Sequence, residues 1–295
     1  MSSFLLRGLA ANGGIRVVAA DTTSLVQEAK ERHASSATAS AALGRSLSAT
    51  ALLSHVLLKN PKDRITLKII GDGPLGGIIT EGGLDGLIRG YTKHSDVDLP
   101  LREDGKLNVG MAVGKGELEV IRSHAPRGEP YSSSVKLYSG EIADDVAVFL
   151  AESEQIQSAV LLGVYQEADR VTRAGGVILQ ALPNAEEAAL TLLEANIKAM
   201  GALTEAMGQR SLLEILGELC WGLELEILTE KALPLSYTCR CSREKILGAM
   251  RFFSPEELQD MIDQDGGAEA ICHWCNERYW LEPSDLEQLL QNHNN

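Results

Sequence analysis

The spacing of apolar and polar residues divides the 295-residue chain into three parts. The chain opens with two short apolar runs, FLLRGLA and GIRVVAA, and the segment Asn12-Gly13-Gly14 between them predicts a β-hairpin. The following stretch, SSATASAALGRSLSATALLSHVLL, has helical spacing and small side chains. We therefore expect a helix that packs closely against a sheet in the core.

From Arg64 onward the pattern becomes mainly β-like, with short apolar runs separated by glycines. These runs are ITLKII, GGIIT, GLIRGYT, LNVGMAV, ELEVIRS and SVKLYS, followed after one amphipathic helix (EIADDVAVFLAESEQI) by SAVLLGVYQ and AGGVILQAL. The block ends at Pro183. Residues 1–182 are thus predicted to form a core domain of mixed α and β structure, with β-sheets packed on helices.

Residues 183–232 have the pattern of a helical linker. The segment AEEAALTLLEANIKAMGALTEAM is predicted to be helical and places Leu193, Ile197 and Met200 on or near one apolar face. Ser211 followed by Glu214 is a capping-box signature for a second helix, SLLEILGELCWG. Several glycines interrupt the region, so we expect its intrinsic helix stability to be modest.

The remaining residues, 233–295, are predicted to form a small separate domain. Two helix candidates, CSREKILGAMRF and SPEELQDMIDQ, precede a hairpin in EAICHWCNERYWLE and a closing helix in PSDLEQLL. A domain of this size usually needs a metal or disulfides to supplement its core. The predicted fold class is therefore α+β: a mixed core domain, a helical linker and a C-terminal metal-binding domain.

The charge balance excludes several classes of partner. The formal net charge is −14, which argues against nucleic acid and against anionic membranes, because both are bound through clustered Lys and Arg. The N-terminus lacks the basic start and sustained apolar run of a signal peptide, and no apolar stretch has the length of a spanning helix. We expect a cytoplasmic protein, in which thiols are kept reduced.

Two glycine-rich motifs resemble nucleotide-binding loops but lack essential features of them. Gly71-x-Gly73-x-x-Gly76 matches the dinucleotide fingerprint, but a short strand follows where that fingerprint needs a helix, so a tight turn is the favoured interpretation. The segment GMAVGK lacks one spacer residue of a P-loop and has Gly116 where Ser or Thr is required.

Chemistry is concentrated in four cysteines near the C-terminus. Cys239 and Cys241 are separated by one residue, Cys272 and Cys275 by two, and 30 residues lie between the pairs. Four thiolates suit tetrahedral Zn²⁺, one ion per chain, and a closed four-sulfur site argues against a hydrolytic zinc enzyme. His273 is a competing ligand. Residues 232–295 carry five basic and eleven acidic side chains, so a nucleic-acid zinc knuckle is disfavoured.

The order C-x-C, a spacer of about thirty residues, then C-x-x-C resembles the bacterial heat-shock protein 33 family. The stretches TASAALGRSLSA, GDGPLGG and GGVILQALP are also similar to family segments. The resemblance implies a redox-regulated holdase chaperone that binds unfolding client proteins, is not an enzyme, and is inactive while reduced and zinc-bound. It implies Cys239, Cys241, Cys272 and Cys275 as ligands, and disulfides Cys239–Cys241 and Cys272–Cys275 after oxidation.

The same resemblance implies that oxidation releases zinc, unfolds the C-terminal domain and linker, and yields an active homodimer. The apolar linker face of Leu193, Ile197 and Met200 is a candidate client-binding surface. Cys220 has no counterpart in the motif, and on an apolar helix face it is interpreted as a packed small hydrophobe. Two alternatives stay open: a zinc-stabilised adaptor without a switch, and a thiol–disulfide oxidoreductase that uses Cys272 and Cys275, although its flanks predict a hairpin in place of a βαβ setting.

Overall fold

The computed structural model describes residues 2–124, 128–228 and 231–293. The chain divides into two compact units, Met1–Thr238 and Cys239–Asn295. The first unit contains an antiparallel sheet and a mixed sheet with helices packed on them, and the second unit combines a hairpin with helices, so the α+β class is confirmed. By compactness the predicted linker belongs to the first unit. The functional division at residues 182 and 232 stays a prediction.

The first sheet is built around the predicted N-terminal hairpin. Its order is β10 (Glu226–Ile227), β1 (Phe4–Ala10), β2 (Ile15–Asp21), β9 (Arg170–Ala181) and β8 (Ser158–Glu167), with β11 (Leu233–Pro234) also paired to β1. The hairpin is confirmed, because every residue of β1 lies opposite a residue of β2 in antiparallel register. The two apolar runs before Pro183, SAVLLGVYQ and AGGVILQAL, were correctly predicted to be strands.

The second sheet contains the glycine-separated runs. Its order is β12 (Ser236–Tyr237), β5 (Leu87–Thr92), β4 (Ile78–Gly82), β3 (Arg64–Gly71), β6 (Gly116–Ser123) and β7 (Tyr131–Lys136). All neighbours are antiparallel except β12 and β5, which are parallel.

One predicted strand, LNVGMAV, is wrong. It forms the short helix α3 (Val109–Val113), whose first turn is capped by the Asn108 side chain accepting from the Met111 amide. The GDGPLGG turn packs against the end of this helix: a Cβ on Gly71 would lie 1.9 Å from the Val113 carbonyl oxygen. The tight-turn interpretation is therefore confirmed, and the glycines serve close backbone packing.

Helix α2 (Ala37–Leu57) is buried on nearly all sides because it contacts strands of both sheets. Its small residues allow this approach; a Cβ on Gly44 would lie within 3 Å of Val26 and Val164 side-chain carbons. Several buried hydroxyls on this helix are hydrogen-bonded, as between Thr50 and Thr80. Helices α1 (Thr23–His33) and α4 (Ala143–Glu152) complete the domain. The Thr22 side chain does not cap α1; the Asp21 carboxylate instead accepts a hydrogen bond from the Thr23 amide.

The connector, which we define as helices α5 (Glu187–Met200), α6 (Leu203–Gln209) and α7 (Leu212–Leu219), packs on the first sheet. Residues 185–207 are divided between two helices, where the sequence pattern predicts one. The break falls at Gly201, whose φ of +74° is left-handed and ends α5. The capping box of Ser211 and Glu214 is confirmed at the start of α7.

The second unit contains the predicted helices and hairpin. Its elements are α8 (Arg243–Met250), α9 (Pro255–Asp265), β13 (Ala268–Ile271), β14 (Arg278–Leu281) and α10 (Pro283–His293). Ser254 caps α9, and Pro255 lies in its first turn, as predicted. Five apolar side chains form its buried core: Met250, Leu258, Leu281, Leu286 and Leu289.

Candidate metal centre

The four cysteines reach one point from two local structures of the second unit. Cys239 and Cys241 precede α8, while Cys272 and Cys275 form the turn between β13 and β14. That turn is tightened by hydrogen bonds from the amides of Cys275 and Asn276 to the Cys272 carbonyl, at 3.3 and 2.7 Å. Asn276 takes a left-handed φ of +58°, a conformation that asparagine tolerates better than most residues. The hairpin therefore points both sulfurs of the C-x-x-C toward one site.

The sulfur positions match a tetrahedral metal site. All four Sγ atoms lie within 4.8 Å of one another. The Sγ atoms of Cys239 and Cys272 are 3.8 Å apart, and those of Cys241 and Cys275 are 3.5 Å apart. Ligands about 2.3 Å from a central Zn²⁺ in a tetrahedron are separated by about 3.8 Å. All four cysteines are free thiols at these distances, and a disulfide would need about 2.0 Å.

The donor set and its surroundings favour a soft divalent cation. The group of potential metal ligands found among the described residues consists of four cysteines and does not include His273. Burial raises the pKa of the Cys272 thiol, and burial likewise raises the pKa of the Cys275 thiol. A cation must therefore displace protons to bind, and thiolate sulfur selects Zn²⁺ over harder ions.

A tyrosine supports the ligand set from outside. The Tyr279 hydroxyl on β14 donates to the Cys241 sulfur at 3.1 Å, and this hydrogen bond raises the pKa of Tyr279. Arg243, in the first turn of α8, donates to the Trp280 carbonyl at 2.6 Å and also pairs with Asp285. These contacts tie the C-x-C segment, the hairpin and α10 to one another. Sequence reasoning did not identify Tyr279, because its role depends on the hairpin geometry.

The connector residues that the sequence singled out have different degrees of burial. Leu193 belongs to the buried cluster on the first sheet, while Ile197 and Met200 are partly buried and pack against it. Three fully buried connector side chains, Ile215, Leu216 and Leu219 on α7, were not singled out. Their signal was present in the sequence, since the apolar residues follow the Ser211 capping box.

Cys220 is not part of the group of four cysteines that could hold a metal ion. It follows α7 and is 3% exposed within the same apolar cluster. Burial raises the pKa of its thiol to about 11, so the reactive thiolate is scarce at neutral pH. The interpretation as a packed small hydrophobe is confirmed.

The chain is similar to chaperones over nearly its full length. The family described as Hsp33 protein matches residues 3–282. Proteins named 33 kDa chaperonin are similar: that of Thermus thermophilus is 51% identical over 294 residues, covering 97% of this chain and 86% of the relative. The protein of Deinococcus radiodurans is 49% identical over 287 residues, and the match covers 97% of this chain and 97% of the relative.

The architecture agrees with the sequence comparison. A crystal structure of a 33 kDa chaperonin, the heat-shock protein 33 homologue of Thermotoga maritima, matches with a TM-score of 0.91 and 34% identity over 99% of both chains. The fold and the four-cysteine centre thus define a chaperone with a candidate metal-binding domain. The chain belongs to the Hsp33 family. Among the described helices, none has the length and apolar character needed to cross a bilayer.

Proposed function

We propose that the protein is a redox-switched holdase: inactive with Zn²⁺ on the four cysteines, and active after two disulfides form and the metal leaves. The observation that carries this proposal is the convergence of four free thiols within 4.8 Å in a unit whose described residues contribute five apolar side chains to its buried cluster. Bound zinc holds the sulfurs as thiolates and contributes folding free energy to so small a domain. Thiolates are also the form that oxidants attack.

In the proposed switch, Cys239 bonds to Cys241 and Cys272 bonds to Cys275. When a pair of thiolates is oxidised to a disulfide, it loses two electrons. A peroxide molecule accepts these electrons and, with two protons, is reduced to water. The rings closed are only three and four residues long, worth roughly 1.5–2 kcal/mol each in loop entropy. Structural zinc contributes an apparent ~10–16 kcal/mol. The exchange is unfavourable for folding, so the oxidised second unit is expected to unfold.

Loss of structure in the linker, residues 183–232, would uncover apolar surface. The connector buries Leu193, Ile215 and neighbouring side chains against the first sheet, a surface that an active holdase could offer to clients. We propose unfolded proteins as clients, a homodimer as the active form, and the cytoplasm as the compartment. In the proposed switch the core (1–182) keeps its structure, while the linker (183–232) and the switch domain (233–295) lose theirs.

The hairpin setting of Cys272 and Cys275 disfavours the oxidoreductase alternative, since that motif belongs at the start of a helix in a βαβ unit.

The test of the holdase proposal is suppression of aggregation of a heat-unfolding protein, with and without prior treatment of the chaperone with peroxide and mild heat. We expect suppression by the oxidised protein alone, with release of about one zinc per chain. Cys239→Ser should lower zinc content and abolish switching, while Cys220→Ser serves as the matched cysteine control. Equal suppression in both states would favour the adaptor without a switch.

A further inference from the structure

One short stretch of chain covers an edge of both sheets. We call it the edge segment and define it as residues 226–228 and 233–238, which contain β10, β11 and β12. The first two strands pair with β1, and the third pairs with β5. Thr238, the last residue of the segment, directly precedes Cys239.

Backbone hydrogen bonds hold the segment on the edge of β1. The Leu228 amide donates to the Arg7 carbonyl at 2.8 Å, and the Leu235 amide donates to the Ser3 carbonyl at 2.9 Å. The pairing is antiparallel and places Glu226 opposite Leu9. Only four residues of β10 and β11 pair with the seven residues of β1, so the cover is shorter than the edge.

The edge of β5 is covered in the same way but in parallel. The Ser236 amide donates to the Gly86 carbonyl at 3.0 Å, and the Thr238 amide donates to the Ile88 carbonyl at 2.8 Å. Two residues of β12 face a strand of six. Short strands with so few bonds are easily displaced compared with the sheet behind them.

In the part of the segment that pairs with β5, buried and exposed side chains alternate, as expected for a bound strand. Leu235 is 5% exposed and Tyr237 is 7% exposed, while Ser236 between them is exposed. The Tyr237 hydroxyl donates to the Gly90 carbonyl at 2.8 Å and lies 2.9 Å from Nε2 of His33. The second edge therefore has a backbone ladder and pockets for alternating side chains.

Glycines on both edges permit the close approach of the segment. A Cβ on Gly8 of β1 would lie 2.7 Å from the Glu226 carbonyl oxygen. A Cβ on Gly86, before β5, would lie 2.1 Å from the Pro234 carbonyl oxygen. Both edges are thus shaped to admit another backbone.

We propose that the edge segment occupies the strand edges at which client proteins bind, and that its departure lets extended apolar segments of unfolded proteins add as strands to β1 and β5. The inference deepens the proposed function and rests on it, because unfolding of residues from Cys239 onward is what would release the segment. An unpaired strand edge is a template for any extended chain, since main-chain bonds give affinity without sequence specificity. This matches the needs of a chaperone that binds many clients. Ile227 of the edge segment also packs against the apolar cluster of the connector, so that cluster extends to the β1 edge.

The test measures amide hydrogen exchange at single-residue resolution in the full-length, doubly oxidised, zinc-free protein. The probe is reduced, carboxymethylated α-lactalbumin, which stays unfolded. We expect oxidation to speed exchange at Ser236 and Thr238, and bound probe to slow exchange at edge-facing amides of β1 and β5 by about tenfold. Amides of the same strands that face β2 and β4 are internal references. Probe that co-elutes with the protein without protecting either edge overturns the strand-addition proposal alone. Probe that does not bind at all overturns the holdase function and the edge proposal with it.

A pair of glycine variants provides a second, independent test. Gly86→Ala and Gly105→Ala carry a similar backbone penalty, because their φ angles are +74° and +77°, but a Cβ at Gly105 meets nothing within 4 Å. We expect Gly86→Ala to speed exchange at Ser236 and Thr238 in the reduced protein and to weaken probe retention about threefold or more in the oxidised protein. Gly105→Ala should do neither. Equal retention by the two oxidised variants would contradict strand addition at β5.

Discussion

Replacing Ile215 with serine should release the connector without any oxidant. Ile215 is fully buried on α7, in the cluster that joins the connector to the first sheet. The matched control is Leu213→Ser on the same helix, since Leu213 is 54% exposed. Both variants change a branched apolar residue to serine in one helix, so helix propensity changes about equally and burial is the main difference between them.

The expected destabilisation follows from burial. Truncating a buried Ile or Leu to Ala costs about 2–5 kcal/mol, and burying an unpaired hydroxyl adds about 1–3 kcal/mol. Even the lower limit of about 3 kcal/mol shifts the ratio of docked to undocked connector by roughly a hundredfold, because about 1.4 kcal/mol corresponds to a factor of ten. Leu213→Ser should change it by a factor of two or so, within the usual range for exposed sites.

The assay compares the reduced, zinc-bound variants in two measurements. Hydrogen exchange across residues 187–219 should accelerate in Ile215→Ser, and a heat-unfolding protein should aggregate less in its presence. Retained zinc in both variants shows that the switch domain stays loaded. If exchange accelerated in Ile215→Ser while the reduced protein stayed inactive, connector docking would not be the restraint on client binding. If exchange did not accelerate, the calculated contribution of Ile215 to docking would be wrong.

Three further predictions follow from the metal centre and the core. Removing zinc with a chelator under reducing conditions should melt the second unit and leave the first folded, which circular dichroism and exchange can separate; a zinc-free unit that stays protected would contradict the role of the metal. Tyr279→Phe removes the hydrogen bond to Cys241 and should weaken zinc affinity about tenfold in a competition titration, whereas Tyr165→Phe at an exposed site should not. Burial lowers the pKa of His55 to about 4 from 6.5, so stability present above pH 6.5 is lost as the pH falls toward 4, because the unfolded chain binds the proton first. Between pH 7 and pH 4.5, the free energy of unfolding from urea titrations should fall by about 1–2 kcal/mol less in His55→Leu than in the unsubstituted protein. An unchanged pH dependence would show that another group is responsible.

Local patterns in the sequence were sufficient where neighbouring residues decide the structure. The hairpin around Gly13, the buried α2 and the capping box at Ser211 all follow from periodicity and turn chemistry. The candidate metal centre was predictable because C-x-C and C-x-x-C each place two sulfurs close together. Only the meeting of the two pairs required the fold.

Features that depend on distant pairing were missed. The edge segment pairs Leu233 with Leu5 and Tyr237 with Ile88, and strands of two residues leave no periodic signal. LNVGMAV has strand-like composition, yet the Asn108 cap and packing against Gly71 make it a helix. In such cases tertiary contacts override local propensity.

The central claim is that oxidation unfolds the switch domain and linker while the core stays folded. Limited proteolysis of the full-length protein, reduced with zinc and doubly oxidised without it, tests this most directly. We expect cleavage beyond Pro183 only in the oxidised form, a stable fragment that contains the core, and restored protection after thiol reductant and zinc are added. A zinc-free, doubly oxidised protein whose residues beyond Pro183 stayed fully protected would contradict the account and favour a structural zinc site without a switch.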